Sequence, residues 1–151
     1  MVAVFVALLL SLPNTKATVD VPGTWTKLDD KPALVAAYKG PAGLVLAITR
    51  AQVPNSDAWR SKTRDAYAGE VAKGALARVP GGKELAKKLG ETNGVPVLDL
   101  ELRTKDGATL VLRYLLFRTY ALVLAIEVPK GSEVSTARAI ARTFSPPKAA
   151  P

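Results

Sequence analysis

The chain contains no histidine and no cysteine in 151 residues. The first absence removes the usual general base, the commonest metal ligand and every Ser-His or Cys-His nucleophilic arrangement. The second removes thiolate nucleophiles, thiolate metal sites, disulfide staples and a lipid anchor on cysteine. Aromatic residues make up only 6% of the chain and nowhere interleave with Arg and Lys as stacking residues do in single-strand binders, so no nucleic-acid partner is expected. The uncharged stretch from Val2 to Leu12 is well short of the roughly 20 residues that a membrane-spanning helix needs. Carboxylates, lysines, arginines and hydroxyls are what remain for chemistry.

That N-terminal stretch is broken by Pro13 and Asn14, and Thr15-Lys16-Ala17 offers small residues where a signal peptidase reads them. It therefore reads as a signal peptide cut after Ala17, although no Lys or Arg precedes the apolar run. The competing reading is a buried first element of the fold. The expected organisation is a signal peptide over residues 1–17, a single α+β domain over 18–146 and a disordered tail over 147–151. An exported protein without disulfides suits a periplasm or the cell exterior, because a domain of this length buries enough core to hold without staples. Lys and Arg outnumber Asp and Glu by 21 to 13, giving a net charge of +8, and cutting after Ala17 removes only Lys16 from that balance. A basic exported domain is drawn to anionic partners: an unknown protein or an anionic component of the envelope, with peripheral attachment to a membrane surface left open.

Periodicity predicts a hairpin from Thr24 to Lys39 with Asp29-Asp30-Lys31-Pro32 as its turn, then an interior strand from Leu44 to Thr49. Pro54-Asn55-Ser56-Asp57 carries helix-starting chemistry, and a helix is predicted from Asp57 to Arg78. Its core stripe is Trp59, Thr63, Tyr67, Val71 and Ala75, with Ala58, Ala66, Ala72 and Leu76 beside it. Pro80-Gly81-Gly82 ends that helix. Lys83 to Leu89 stays open between helix and strand, with strand favoured.

From Val95 onward Leu98, Leu100 and Leu102 alternate with Asp99, Glu101 and Arg103, which is the pattern of a strand with one buried face. A three-residue loop at Lys105-Asp106-Gly107 sets Leu98, Leu100 and Leu102 opposite Tyr114, Leu112 and Leu110 and places Asp99 opposite Arg113. Thr109–Phe117 and Tyr120–Val128 are apolar on both faces in places, so helices are expected on both sides of the sheet. A last helix over Glu133–Phe144 buries Val134, Ala137, Ile140, Ala141 and Phe144, and Ser145 onward reads as a frayed tail.

This order of elements resembles the PsbP-like α/β/α sandwich family, which spans photosystem II extrinsic subunits, a nuclear import factor and many bacterial exported proteins of unknown role. The residues that carry the resemblance are Val21-Pro22-Gly23-Thr24-Trp25, Asn93-Gly94-Val95-Pro96, Tyr120 to Pro129, and Ala139-Ile140-Ala141-Arg142-Thr143-Phe144-Ser145. The resemblance covers about residues 20–146. It implies an α+β fold in which an antiparallel β-sheet is flanked by a long central helix and a C-terminal helix. It also implies binding or assembly rather than catalysis, and no cofactor.

The candidate surface residues are Asp99, Glu101, Arg113, Lys83, Lys87 and Lys88. Asp99 and Glu101 share one strand face and have the chemistry of an acid–base pair or a hard-cation site, which defines the alternative of a carboxylate-dependent hydrolase or metal-binding protein. The simpler expectation is that Arg103, Arg113 and neighbouring cations neutralise them on a solvated sheet face. Lys83, Lys87 and Lys88 form a small basic cluster suited to an acidic partner or to headgroups, whose simpler reading is a solvated face. Asp29-Asp30 is a turn before it is a metal site, and Pro80-Gly81-Gly82-Lys83 lacks phosphate-loop spacing. The leading expectation is a non-enzymatic exported binding or assembly module, and a third reading is a basic structural protein of the envelope.

Overall fold

The computed structural model describes residues 7–11, 17–28, 34–52, 64–117 and 120–147. Among the described residues nine strands and two α-helices run in the order β1 (Ala7–Ser11), β2 (Thr18–Pro22), β3 (Thr26–Lys27), β4 (Leu34–Lys39), β5 (Val45–Gln52), α1 (Arg64–Ala77), β6 (Lys83–Thr92), β7 (Val95–Arg103), β8 (Thr109–Leu116), β9 (Tyr120–Val128) and α2 (Ser135–Thr143). Seven strands form one antiparallel sheet in the order β3-β4-β5-β9-β8-β7-β6, and β1 pairs with β2 in a separate ribbon. The fold is α+β, as expected, with one helix on each face.

Strand parity builds the two cores. On one face Leu98, Leu100 and Leu102 of β7 join Leu112, Leu116 and Val123, and α1 closes over them with Ala68, Ala72 and Ala75. Alanine along that stripe removes little volume from the gap, so the helix can approach the leucine ladder closely. On the other face Leu46, Ile48, Leu115, Leu122, Leu124 and Ile126 pack against Ala137, Ile140, Ala141 and Phe144 of the α2 segment, together with Val19 and Val21 of β2. Each leucine or isoleucine fully buried in this way contributes about 1.5–3 kcal/mol relative to exposure.

Turn chemistry fixes the ends. Asn93 and Gly94 take φ values of 52° and 79°, the paired left-handed conformation of a two-residue hairpin turn between β6 and β7. The Asn93 side-chain amide also donates to the Pro146 carbonyl at 3.0 Å. Near the start, the Trp25 indole N–H donates to the Pro22 carbonyl at 2.8 Å, and its ring lies so close to Gly40 that a Cβ there would sit 2.6 Å from ring carbons. Those contacts account physically for Asn93-Gly94 and for Pro22 through Trp25 within the sequence signature.

Lys83 to Leu89, left open between helix and strand with strand favoured, lies in a strand that runs on to Thr92. Among the described residues α1 begins at Arg64, and the predicted start at 54–57 with Trp59 and Thr63 lies outside them, as do the turn at 29–32 and Arg118-Thr119, the turn expected between the strands Thr109–Phe117 and Tyr120–Val128. Ala66 is exposed and Ala68 takes the buried place, because the helix presents its 68-72-75 stripe to the leucines. The chain end is no frayed tail at Ser145: Ser145 and Thr18 exchange backbone hydrogen bonds of 3.0 and 3.1 Å, and Pro146 is buried. Residues 148–151 of the expected tail lie outside the described residues. Within the expected signal peptide, Ala7–Ser11 is strand β1 and Ala17 is fully buried.

Candidate functional site

Alternation along β7 sends Leu98, Leu100 and Leu102 under α1 and therefore sends Val97, Asp99, Glu101 and Arg103 to the α2 face. The β7–β8 turn sets the pairing: the Thr104 N–H donates to the Ala108 carbonyl at 2.9 Å and the Gly107 N–H to the Thr104 carbonyl at 3.0 Å. The resulting register matches the one predicted from a three-residue loop. Asp99 lies opposite Arg113, Leu100 opposite Leu112, Leu98 opposite Tyr114 and Leu102 opposite Leu110.

Arg113 is the organising side chain. It is only 7% exposed, and a guanidinium so covered must be paired and hydrogen-bonded to persist. Its Nη1 donates to both Asp99 oxygens at 3.0 and 3.1 Å, its Nε to the Phe144 carbonyl at 2.9 Å, and its Nη2 to Thr92 Oγ1 at 3.4 Å. One side chain of β8 thereby ties down the ends of β6 and α2 as well as the middle of β7.

Glu101 finds a different partner from the expected Arg103 and Arg113. Arg138 of α2 donates to it through Nε and through Nη2, the second bond being 3.1 Å long. The side-chain hydrogen bond that it donates to Glu101, reinforced by the carboxylate's charge, holds the Arg138 guanidinium above its ordinary pKa. Arg142 follows Arg138 by about one helical turn, and both line the same groove as Glu101 and Asp99. Both arginines lie on the polar side of α2, away from Ala137, Ile140 and Ala141. Their four-residue spacing was the signal available in the sequence, but nothing local said which strand they would face. The face is accordingly less solvated than expected, since α2 covers part of it.

The three lysines do not form one cluster. Lys88 lies opposite Asp99 and Lys83 opposite Arg103, both on the α2 face, whereas Lys87 lies opposite Leu100 on the α1 face. A register shift at Leu85, between Glu84 and Ala86, restores the parity of the strand's first residues.

Together these elements enclose a groove of about 450 Å³ between α2 and the β6–β7–β8 end of the sheet. Its walls include Lys88, Asp99, Glu101, Arg113, Arg138 and Arg142, and its floor includes Val111 and Ala141. Among the described residues Lys88 and Arg142 have no ion-pair partner, while Asp99 and Glu101 are each engaged by an arginine. No group of three or more metal-ligating side chains occurs among the described residues. Asp29-Asp30 lies outside them.

With this geometry in hand the chain can be set beside known structures. The solution structure of cyanobacterial PsbP (CyanoP) from Synechocystis sp. PCC 6803 superposes with a TM-score of 0.67 over 97% of each chain, at 14% identity. The chain has a PsbP-like fold. At that identity the likeness establishes the fold alone. A Pseudomonas aeruginosa protein of unknown function matches 94% of this chain and 99% of its own at 18% identity, with a TM-score of 0.49. A Bacteroides thetaiotaomicron protein matches 87% of this chain and 45% of its own at 14% identity, with a TM-score of 0.47. No protein-family model matches the sequence, and no curated protein does.

A second aromatic feature of this PsbP-like domain escaped the sequence reading. Arg50 of β5 sits over the Tyr120 ring at 4.1 Å, and Tyr120 stacks on Phe117 with ring centroids 4.9 Å apart. Phe117 and Tyr120 are three residues apart in the chain, and the pairing of β5 with β9 brings Arg50 to them. The group packs beside the α2-face core.

Proposed function

We propose that the chain is an exported, non-enzymatic binding or assembly module that holds an anionic partner in the groove between α2 and β6. The observation that carries this reading is the charge arrangement: the two carboxylates of the groove each have an arginine, and Lys88 and Arg142 stand beside them without one among the described residues. A ligand bringing negative charge completes the set, and cations preplaced on a rigid strand and helix keep the ordering cost of binding low. The hydrolase alternative requires Asp99 or Glu101 to be free to meet a substrate, and Arg113 and Arg138 engage both carboxylates. Export rests on the uncharged stretch from Val2 to Leu12 and on the small residues that precede the cleavage point after Ala17. Among the described residues no helix is long and apolar enough to cross a membrane.

The test is capture from envelope extract by the full chain, run at low and high salt beside a Lys88→Glu, Arg142→Glu double variant. A discrete partner that survives high salt with the native chain and is lost with the variant supports the groove as the recognition surface. Capture unaffected by the variant removes the groove from that role. Capture of many species, all released by salt, favours the structural envelope reading instead. Sequencing the N-terminus of the exported product checks cleavage before Thr18.

A further inference from the structure

The two edges of the seven-stranded sheet are unequal. At one end β3 is two residues long, while at the other β6 runs for ten and, among the described residues, has no strand beyond it. Eight of those ten positions are exposed, which leaves a row of backbone donors and acceptors facing outward.

Register sorts the side chains of this edge by face. Lys83, Ala86, Lys88 and Gly90 lie opposite Arg103, Glu101, Asp99 and Val97 and so belong to the groove face. Glu84, Lys87, Leu89 and Glu91 lie opposite Leu102, Leu100, Leu98 and Pro96 and belong to the α1 face. The groove face of β6 therefore carries charge of one sign, and the α1 face carries both signs and an apolar residue. On the groove face Gly90 has no atom within 4 Å of where a side chain would project, so that side of the edge is open. The bulge at Leu85, itself 44% exposed, ends the regular stretch and leaves Ala86 to Thr92 in uninterrupted register with β7.

Lysines on an edge strand discourage pairing with another copy of the same chain, and at a net charge of +8 two copies repel further. The same lysines admit an edge of opposite charge. We infer that the outer edge of β6, from Ala86 to Thr92, takes an added antiparallel strand from a partner protein: an extended segment with acidic side chains at alternate positions. Its backbone pairs with β6, its carboxylates turn to the groove face toward Lys88 and Arg142, and its intervening neutral side chains lie beside Leu89. Main-chain bonds supply affinity in such an addition and alternate side chains supply specificity. The inference rests on the proposed binding role and names the chemistry of the partner.

The probe is a ten-residue peptide of alternating Glu and Val, titrated into the full-length protein with amide exchange read by NMR. Two further versions carry N-methyl groups on all Glu residues or on all Val residues, which blocks one hydrogen-bonding edge of the peptide at a time and leaves every side chain in place. The unmodified peptide is expected to slow exchange of β6 amides, and the two methylated peptides to differ in affinity by about tenfold or more, because only one edge faces β6. Lys88→Glu should weaken binding by about tenfold, and a Lys-Val peptide should not bind. Equal affinities for the two methylated peptides, or binding without protection of β6, overturn strand addition while leaving an anion-binding groove in place. Failure of every Glu-Val peptide to bind also overturns it, whereas the broader binding role stands or falls on the capture experiment.

Discussion

Under α1 the sheet offers Leu98, Leu100 and Leu102 to a stripe of alanines, whereas under α2 the same strand offers Val97, Asp99 and Glu101 to a helix that carries two arginines. Alternation forces this division, because leucine at every second position of β7 leaves the remaining positions to the other face. The consequences differ in kind. Apolar burial is non-directional, so the α1 face needs volume and closeness and no particular partner. Charges under a helix each need a named partner in the right geometry, so the α2 face is specified pair by pair and retains unspent positive charge at its rim.

The largest effect should come from the apolar face. Leu100→Ala opens a cavity under α1 at a residue that is 1% exposed, and the loss in a urea unfolding experiment should be about 2–5 kcal/mol. A loss below about 1 kcal/mol would show that α1 settles into the gap and that this face is looser than its packing implies.

Next in size is Arg113→Ala, which leaves Asp99 and the Phe144 carbonyl without their donor. Because Asp99 is 42% exposed and regains water, the expected cost is about 2–3 kcal/mol, at the lower end of what a broken buried pair costs. Arg113→Lys sharpens the contrast: it keeps the charge but has no guanidinium fork to span Asp99 and Phe144, so it should recover little of the loss. Full recovery by lysine would mean that charge alone, without geometry, holds the α2 face.

The smallest difference is one of pH. Burial raises the pKa of Tyr67 and that of Tyr114, where the nearby Arg78 charge offsets part of the rise, and both tyrosines belong to the α1 face. A phenol whose folded pKa is raised keeps its proton longer in the native state than in the unfolded chain. Its contribution is therefore complete below the unfolded value near 10 and is lost as pH rises through the folded one. Stability should decline above about pH 10, and Tyr114→Phe should flatten that decline without altering the neutral plateau. An unchanged alkaline limb would show that this hydroxyl is not shielded by α1.

Much of this arrangement was legible in the order of residues. The two cores, the helix on each face, the Asp99–Arg113 pair and its whole ladder follow from strand period and from the length of one loop. Lys83 to Leu89 resisted because helix formers lie between glycines there, and tertiary pairing with β7 settled it as strand. Once it is strand, consecutive residues part to opposite faces, and the basic cluster of Lys83, Lys87 and Lys88 divides. The partner of Glu101 resisted for another reason. Arg138 is 37 positions away and reaches Glu101 through the seating of α2 on the sheet, which no local period encodes.

Residue order and composition were enough to say which residues are buried along β7, which ones turn the chain at Lys105-Asp106-Gly107, and that neither imidazole nor thiol chemistry is available. Those are properties of a few consecutive residues and of composition. Tertiary packing was needed to bring Arg113 onto the Phe144 carbonyl, Arg138 onto Glu101, and Lys88 and Arg142 into one groove. Each of those depends on where a helix comes to rest on a twisted sheet, and that position is set by the whole core at once.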